Sequence, residues 1–250
     1  MDGMVKSNAA EQDRYLKSVY EKLPTLDPND YTSSLAKHIL FEKGRFSAKQ
    51  SAQPKLLDVG CGMGVQAAAF SPFCSVSVID IANSCEAFFA ENDFDIDFKP
   101  CDLNGDAFPF NDNEFEYVFS KSVIEHIENT THFLSEIRRV LKPGGTAFVM
   151  CPAWETQWQN YYDDPTHIRP FTAIGLERAS QIAGFESVYV EEFFQLPIVW
   201  QYPAMRYLCR LVAMLPNKLK WRYDHGKRSP RKWVRFSKET MLLATLKNTI

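Results

Sequence analysis

Residues Leu56–Gly64 read Leu-Leu-Asp-Val-Gly-Cys-Gly-Met-Gly, an apolar run that passes directly into three glycines at alternate positions. A buried strand that ends in a glycine turn lets backbone N–H groups approach a ligand with no Cβ in the way. Asp58 lies inside the apolar run, where an unpaired carboxylate is costly. It is therefore expected to hydrogen-bond either the turn or a ligand.

Short apolar runs alternate with helical patterns on both sides of this turn. The strand candidates are Lys55–Val59, Ser75–Ile79, Ile96–Lys99, Glu116–Ser120, Thr146–Cys151 and Ser187–Val190. Helical candidates fall near Val65–Phe70, Ser84–Asn92, Thr131–Leu141 and Thr172–Ala183. The third stops at Lys142-Pro143-Gly144-Gly145 and the last at Gly184. Strand–helix alternation at this spacing predicts right-handed βαβ units and a parallel, doubly wound sheet. Residues 1–12 read as a loose tail, and a broken helical pattern over 13–46 and a polar linker over 47–53 complete an N-terminal cap. The central domain is expected over 54–195, and a C-terminal extension packing on it over 196–250. Its Met241–Leu246 run reads as a helix or an edge element.

A chain of 250 residues with 45% hydrophobic and 24% charged residues can bury a full core. No apolar run is long enough for a membrane span, and the polar start has no signal-peptide pattern. Six scattered cysteines without a C-x-x-C pair fit reduced thiols, hence a cytoplasmic protein. No zinc pattern occurs, and no metal is expected.

Two cofactor classes compete for the glycine turn. A dinucleotide fingerprint spaces its glycines G-x-G-x-x-G, but here Gly60, Gly62 and Gly64 bring the third one residue early. Asp80 closes the second strand, where it suits a ribose diol in either class. Further on stand Cys101-Asp102-Leu103, Phe108-Pro109-Phe110, Asn113–Ser120, Ile124-Glu125-His126-Ile127 and Glu136–Gly145.

In this order and spacing, over Pro54 to Met150, the motifs resemble the class I S-adenosylmethionine-dependent methyltransferases of the "methyltransferase type 11" group. The resemblance implies a Rossmann-like α/β fold with a seven-stranded, mostly parallel sheet, helices on both faces and a late antiparallel strand. It implies cofactor contacts from Asp58, Gly60, Cys61, Gly62 and Gly64 to the methionine part, and from Asp80 with Ile81 to the ribose. Asp102 and Leu103 would meet the adenine, and Ser120 would lie beside the sulfonium. Read singly, Asp80 and Asp102 also suit helix N-caps, His126 a satisfied histidine of a helical region, and Cys61 a small loop-filling residue.

The acceptor is expected beyond the fourth and fifth strands. There the chain reads Tyr161-Tyr162-Asp163-Asp164-Pro165-Thr166-His167-Ile168-Arg169-Pro170-Phe171-Thr172. His167 is the candidate general base, with Asp163 or Asp164 orienting it or meeting acceptor hydroxyls, and Arg169 suits an anionic group. The alternative is a pinned loop in which Thr172 caps the next helix.

From Arg206 to Lys238 the chain carries eleven Lys/Arg and one acid, Asp224. Met205, Leu208, Leu211, Val212 and Leu215 are expected on one side of a helix there. Three readings stand for this block: contact with an anionic membrane, a clamp for acceptor phosphates (a lipid-linked pyrophosphate or RNA), or packing against the acidic remainder. The resulting expectation is O-methylation of a small molecule or of a cell-envelope glycan or lipid-linked acceptor. RNA methylation and a non-catalytic cofactor-binding subunit are the alternatives.

Overall fold

The strands around the glycine turn are apolar at successive positions because both faces of their sheet are covered. The computed structural model describes Arg14, Asp27 and residues 30–46, 53–224 and 227–249, except for the side chains of 222–230. The tail at 1–12, most of the helical pattern before residue 30 and the linker at 47–52 lie outside the described residues.

Seven strands form the sheet: β1 (Lys55–Val59), β2 (Ser75–Asp80), β3 (Asp97–Pro100), β4 (Phe115–Lys121), β5 (Leu141–Pro152), β6 (Ser187–Phe193) and β9 (Met241–Lys247). Their order is β3-β2-β1-β4-β5-β9-β6. All pairings from β3 to β5 are parallel, and β9 runs antiparallel to both β5 and β6. The Met241–Leu246 run is thus neither a helix nor an edge. Apart from Thr245 its residues are apolar because they feed both layers: Leu242, Ala244 and Leu246 join one core, and Met241 and Leu243 the other. The segment outside the sheet is an insertion, residues 194–240, between β6 and β9.

The period of two sorts the other strands in the same way. Leu57 and Val59 of β1 face the layer built with α4 (Thr130–Val140) and α5 (Ala173–Ile182). Leu56, with Phe119 of β4 and Phe148 of β5, faces α1 (Tyr31–Lys37), α2 (Val65–Phe70) and α3 (Ser84–Glu91). A π-helical turn, His38–Lys43, continues α1, whose start is capped by Asp30 accepting from the Ser33 N–H at 2.8 Å. In α4, Phe133, Leu134, Ile137 and Val140 are buried on one stripe. Two of the motifs meet here. The Arg139 guanidinium donates to the carbonyls of Phe108 and Phe110, both at 2.9 Å, while Glu136 accepts from the Phe108 N–H. Those motifs brace the sheet's flank away from the glycine turn.

Within the insertion lie α6 (Pro197–Gln201), α7 (Met205–Ala213), the hairpin β7 (Trp221–Asp224) with β8 (Lys227–Pro230), and α8 (Lys232–Lys238). A small core of Phe194, Leu196, Val199 and Cys209, with Met205 and Phe236 against it, holds the unit together. Buried Glu239 fastens it from below, pairing with Lys220 at 2.7 Å and Arg235 at 2.6 Å. The apolar side of α7 faces mostly outward. Met205 and Cys209 pack inward, whereas Tyr207, Leu208, Leu211, Met214 and Leu215 are exposed, Met214 at 81%.

Candidate active site

In a parallel sheet, ligands bind at the carboxyl ends of the strands where the order reverses. Here the reversal lies between β1 and β4, and a cavity of about 770 Å³ opens there. Glycine residues 60, 62 and 64 all take the left-handed conformation, with φ of 75°, 54° and 80°. The turn is tight. A Cβ at Gly60 would lie 2.3 Å from Val123 Cγ2, and one at Gly64 would lie 2.5 Å from Phe89 Cε1. The Gly60 N–H donates to the Ile79 carbonyl at 2.8 Å, locking the turn to the end of β2.

Asp80 holds the turn's centre. Its Oδ2 accepts from the Gly62 N–H at 2.8 Å and its Oδ1 from the Ala82 N–H at 3.3 Å. Burial pushes its carboxyl above the usual range, and these N–H groups oppose the shift. Asp58 is 2% exposed, and its Oδ2 has no hydrogen-bond partner. Burial pushes the Asp58 carboxyl up to about 8; nearby Asp80 adds to the rise and Lys121 opposes it. Cys61 is buried in the turn, where a hydrogen bond with Cys85 and burial raise its thiol further, so it is a packing residue and no nucleophile. Asp102 Oδ1 accepts from the Asn104 N–H at 3.1 Å, shaping the rim beside Leu103. Ile81 lines the same wall.

Ser120 is placed elsewhere. It is fully buried and its hydroxyl donates to the Val59 carbonyl at 2.9 Å, so it ties β4 to β1. The residues of β4 that line the cavity are its neighbours Phe119 and Lys121, and burial lowers the Lys121 ammonium.

The cavity's other wall combines the turn Ile124–His126 with the segment after β5. Both oxygens of Glu125 are buried without a hydrogen-bond partner, and burial pushes this carboxyl up to about 8. The N–H groups of Ile168 and Arg169 donate to the Glu125 backbone carbonyl at 3.0 and 3.1 Å, bringing His167 to the cavity. The His167 Nδ1–H donates to the Tyr161 carbonyl at 2.7 Å, which leaves the Nε2 lone pair for other chemistry. His126 lies beside it, with ring centroids 4.8 Å apart, and its Nδ1 meets the Thr166 carbonyl at 3.1 Å. Desolvation and His167 lower the His126 imidazole.

The acids assigned to orient His167 do other work. Asp163 is exposed in a helical turn and does not line the cavity. Asp164 accepts from both the N–H and the hydroxyl of Thr166, and its Oδ2 stands 3.9 Å from His167 Nε2. The Tyr161 carbonyl, not a carboxylate, fixes the ring. Arg169 donates to the Glu128 carbonyl at 3.1 Å and so pins the loop. The insertion contributes Arg235 and Phe236 to the rim, and α1 contributes Tyr31 and Thr32.

A seven-stranded sheet of this order, with the late antiparallel strand and a glycine turn after β1, is the fold of class I S-adenosylmethionine-dependent methyltransferases. Phosphoethanolamine N-methyltransferase 2 of Haemonchus contortus, solved with S-adenosyl-L-methionine, shares the fold at a TM-score of 0.55 and 18% identity, over 90% of this chain and 58% of that one. Residues 57–149 match the Methyltransf_11 methyltransferase domain. Thiol S-methyltransferase TMT1A of Homo sapiens is 28% identical over 180 residues, 66% of this chain and 73% of that protein. Sterol 24-C-methyltransferase erg6 of Schizosaccharomyces pombe is 31% identical over 121 residues, covering 46% of this chain and 32% of that protein. The chain thus spans about a third of that sterol enzyme's length.

The residues present fit the cofactor this fold class uses. Asp58 Oδ2 lacks a donor that an ammonium supplies, the glycine turn offers a surface free of side chains, and Asp80 and Asp102 sit on successive strand ends.

Proposed function

We propose that the protein transfers a methyl group from S-adenosylmethionine to a hydroxyl of an amphiphilic small molecule, a lipid-linked or envelope-glycan acceptor met at a membrane surface. The observation that carries this reading is a single cavity with two unlike walls. One is the glycine turn with Asp58 and Asp80; the other holds Glu125, His126 and His167. The cofactor supplies an activated methyl group on a sulfonium.

The chain's residues do the rest. Asp58 through Gly64 and Asp80 hold the donor side, so that the acceptor is met in line; alignment of this kind is worth on the order of 7–11 kcal/mol in such displacements. His167 Nε2 would take the acceptor hydroxyl's proton and pass it on to water, while the methyl carbon would exchange its bond to the sulfonium sulfur, left as a neutral thioether, for one to the acceptor oxygen. The Tyr161 carbonyl keeps Nδ1 protonated, so Nε2 is the basic atom.

The membrane part rests on the insertion. Its α7 and the turn that follows expose Tyr207, Leu208, Leu211, Met214 and Leu215 beside Arg206 and Arg210, an apolar patch with a basic flank. Helix α8, which packs on α7, supplies Arg235 and Phe236 to the cavity rim. No helix among the described residues is long and apolar enough to cross a membrane. Relatives named for sterol and thiol acceptors are in keeping with a small-molecule acceptor.

The test incubates the protein with methyl-labelled S-adenosylmethionine and an envelope lipid extract, alongside calorimetry with S-adenosylhomocysteine. Label is expected in a lipid or glycolipid fraction. Asp80→Ala should weaken S-adenosylhomocysteine binding at least tenfold, and His167→Ala should slow transfer with binding little changed. No binding of S-adenosylhomocysteine to the unaltered protein overturns the donor assignment; binding with no fraction ever labelled overturns the acceptor.

A further inference from the structure

The acceptor wall carries more than one base requires. We propose that Glu125, His126 and His167 bind a single divalent transition-metal cation of the zinc and iron(II) kind at the floor of the cavity. One ligand atom from each of the three lies within 4.8 Å of the others. Glu125 is 0% exposed, lines the cavity, and has neither carboxylate oxygen hydrogen-bonded. Such a group calls for a partner that the protein itself does not provide. Lys121 lies near enough to act on it by charge, yet makes no hydrogen bond to it.

The two imidazoles show the outer-shell arrangement that metal-binding histidines use. Each points Nδ1 at a backbone carbonyl, that of Thr166 for His126 and that of Tyr161 for His167. A carbonyl only accepts, so His167 carries its proton on Nδ1 and keeps the lone pair on Nε2; at His126 the Thr166 hydroxyl, 2.9 Å from the same Nδ1, donates to Asp164 and so also accepts from the ring. Two imidazoles with one carboxylate favour zinc or iron(II) over magnesium or calcium. Three protein ligands also leave open positions toward the cavity, as in catalytic rather than structural sites.

Ligand atoms about 2.1 Å from an ion stand roughly 3.0–3.4 Å from one another, so the set must draw in by up to about 1.8 Å. Side-chain rotation covers that distance, because the backbones are already joined: Ile168 and Arg169 both donate to the Glu125 carbonyl. The role of such a site, though not its existence, rests on the methyl-transfer reading. With His167 as a ligand its lone pair no longer takes the acceptor's proton, and Lewis acidity supplies that function instead.

The full chain, freed of metal with a chelator, is titrated with Co²⁺ by visible spectroscopy and with Zn²⁺ by calorimetry. One equivalent is expected, and Glu125→Gln, His126→Ala and His167→Ala should each weaken it at least tenfold while circular dichroism shows the fold intact. Absence of stoichiometric uptake, affinity unchanged in all three variants, or a strong thiolate-to-cobalt charge-transfer band overturns the site. S-adenosylhomocysteine is titrated separately. A protein that takes up the cation but not this ligand retains the site and loses the methyl-transfer reading; the converse loses the site alone.

Discussion

Gly60→Ala tests whether the glycine turn is dictated by close packing as well as by backbone conformation. At φ +75° an alanine enters the left-handed region, at a cost of about 1–2 kcal/mol. Its Cβ also falls 2.3 Å from Val123 Cγ2 and 3.1 Å from Cγ1, contacts no side chain tolerates without a shift. Overpacking of this kind costs roughly 1–3 kcal/mol, so the single variant should lose about 2–5 kcal/mol of unfolding free energy. Val123→Ala deletes both offending methyls and alone costs roughly 1–3 kcal/mol. Combining the two removes the collision but not the backbone strain. The double variant should therefore be about 1–3 kcal/mol more stable than the sum of the singles implies. Urea unfolding of the four proteins in a double-mutant cycle reads this coupling directly. Additivity to within about 0.5 kcal/mol would refute the packing argument and leave conformation as the sole reason for glycine.

Two further outcomes are expected. The Asp58 carboxyl is held up to about 8 in the folded, cofactor-free protein but titrates in the ordinary range when unfolded. Its contribution to stability is therefore complete below the unfolded value and is lost as pH rises toward 8, with a slope of up to roughly 1.4 kcal/mol per pH unit. Asp58→Asn should flatten that loss in urea midpoints measured across this window, and parallel curves for the two proteins would contradict the assignment. Leu211→Glu with Met214→Glu, at side chains 64% and 81% exposed, should leave the fold unchanged and abolish co-sedimentation with anionic phospholipid vesicles. Equal sedimentation of variant and parent would remove α7 from any membrane contact.

Strands β1 and β2 were legible because their apolar runs end, where the cavity lies, on Gly60 and Asp80. Strand β9 was not, since a run of four apolar residues, Met241–Ala244, shows no period that separates a buried strand from a helix. The orientation of α7 stayed open for a related reason. Apolar residues occupy two of its stripes, and amphipathicity alone does not say which one meets the protein. The wall of Asp58, Asp80 and the glycines was legible because its parts are close in sequence. The meeting of Glu125 and His126 with His167 was not, because it depends on a segment forty residues away, returned by two backbone hydrogen bonds. One local sign was present. Glu125 stands in Ile124-Glu125-His126-Ile127, an acid among apolar neighbours, the same irregularity that marked Asp58. Ser120 shows the converse error: a polar residue at a strand end was given to the ligand, and its hydroxyl is spent on the next strand.

The placement of residues 194–240 between two paired, antiparallel strands has a thermodynamic consequence. Both ends of the insertion are anchored where β6 and β9 lie hydrogen-bonded side by side. The chain between them is a closed loop, and closure entropy grows only as the logarithm of loop length, so doubling it costs about 0.6 kcal/mol. The sheet that holds the donor side therefore scarcely registers how long or how elaborate this loop is. The loop can be lengthened, shortened or exchanged while the seven-stranded scaffold and its glycine turn stay as they are.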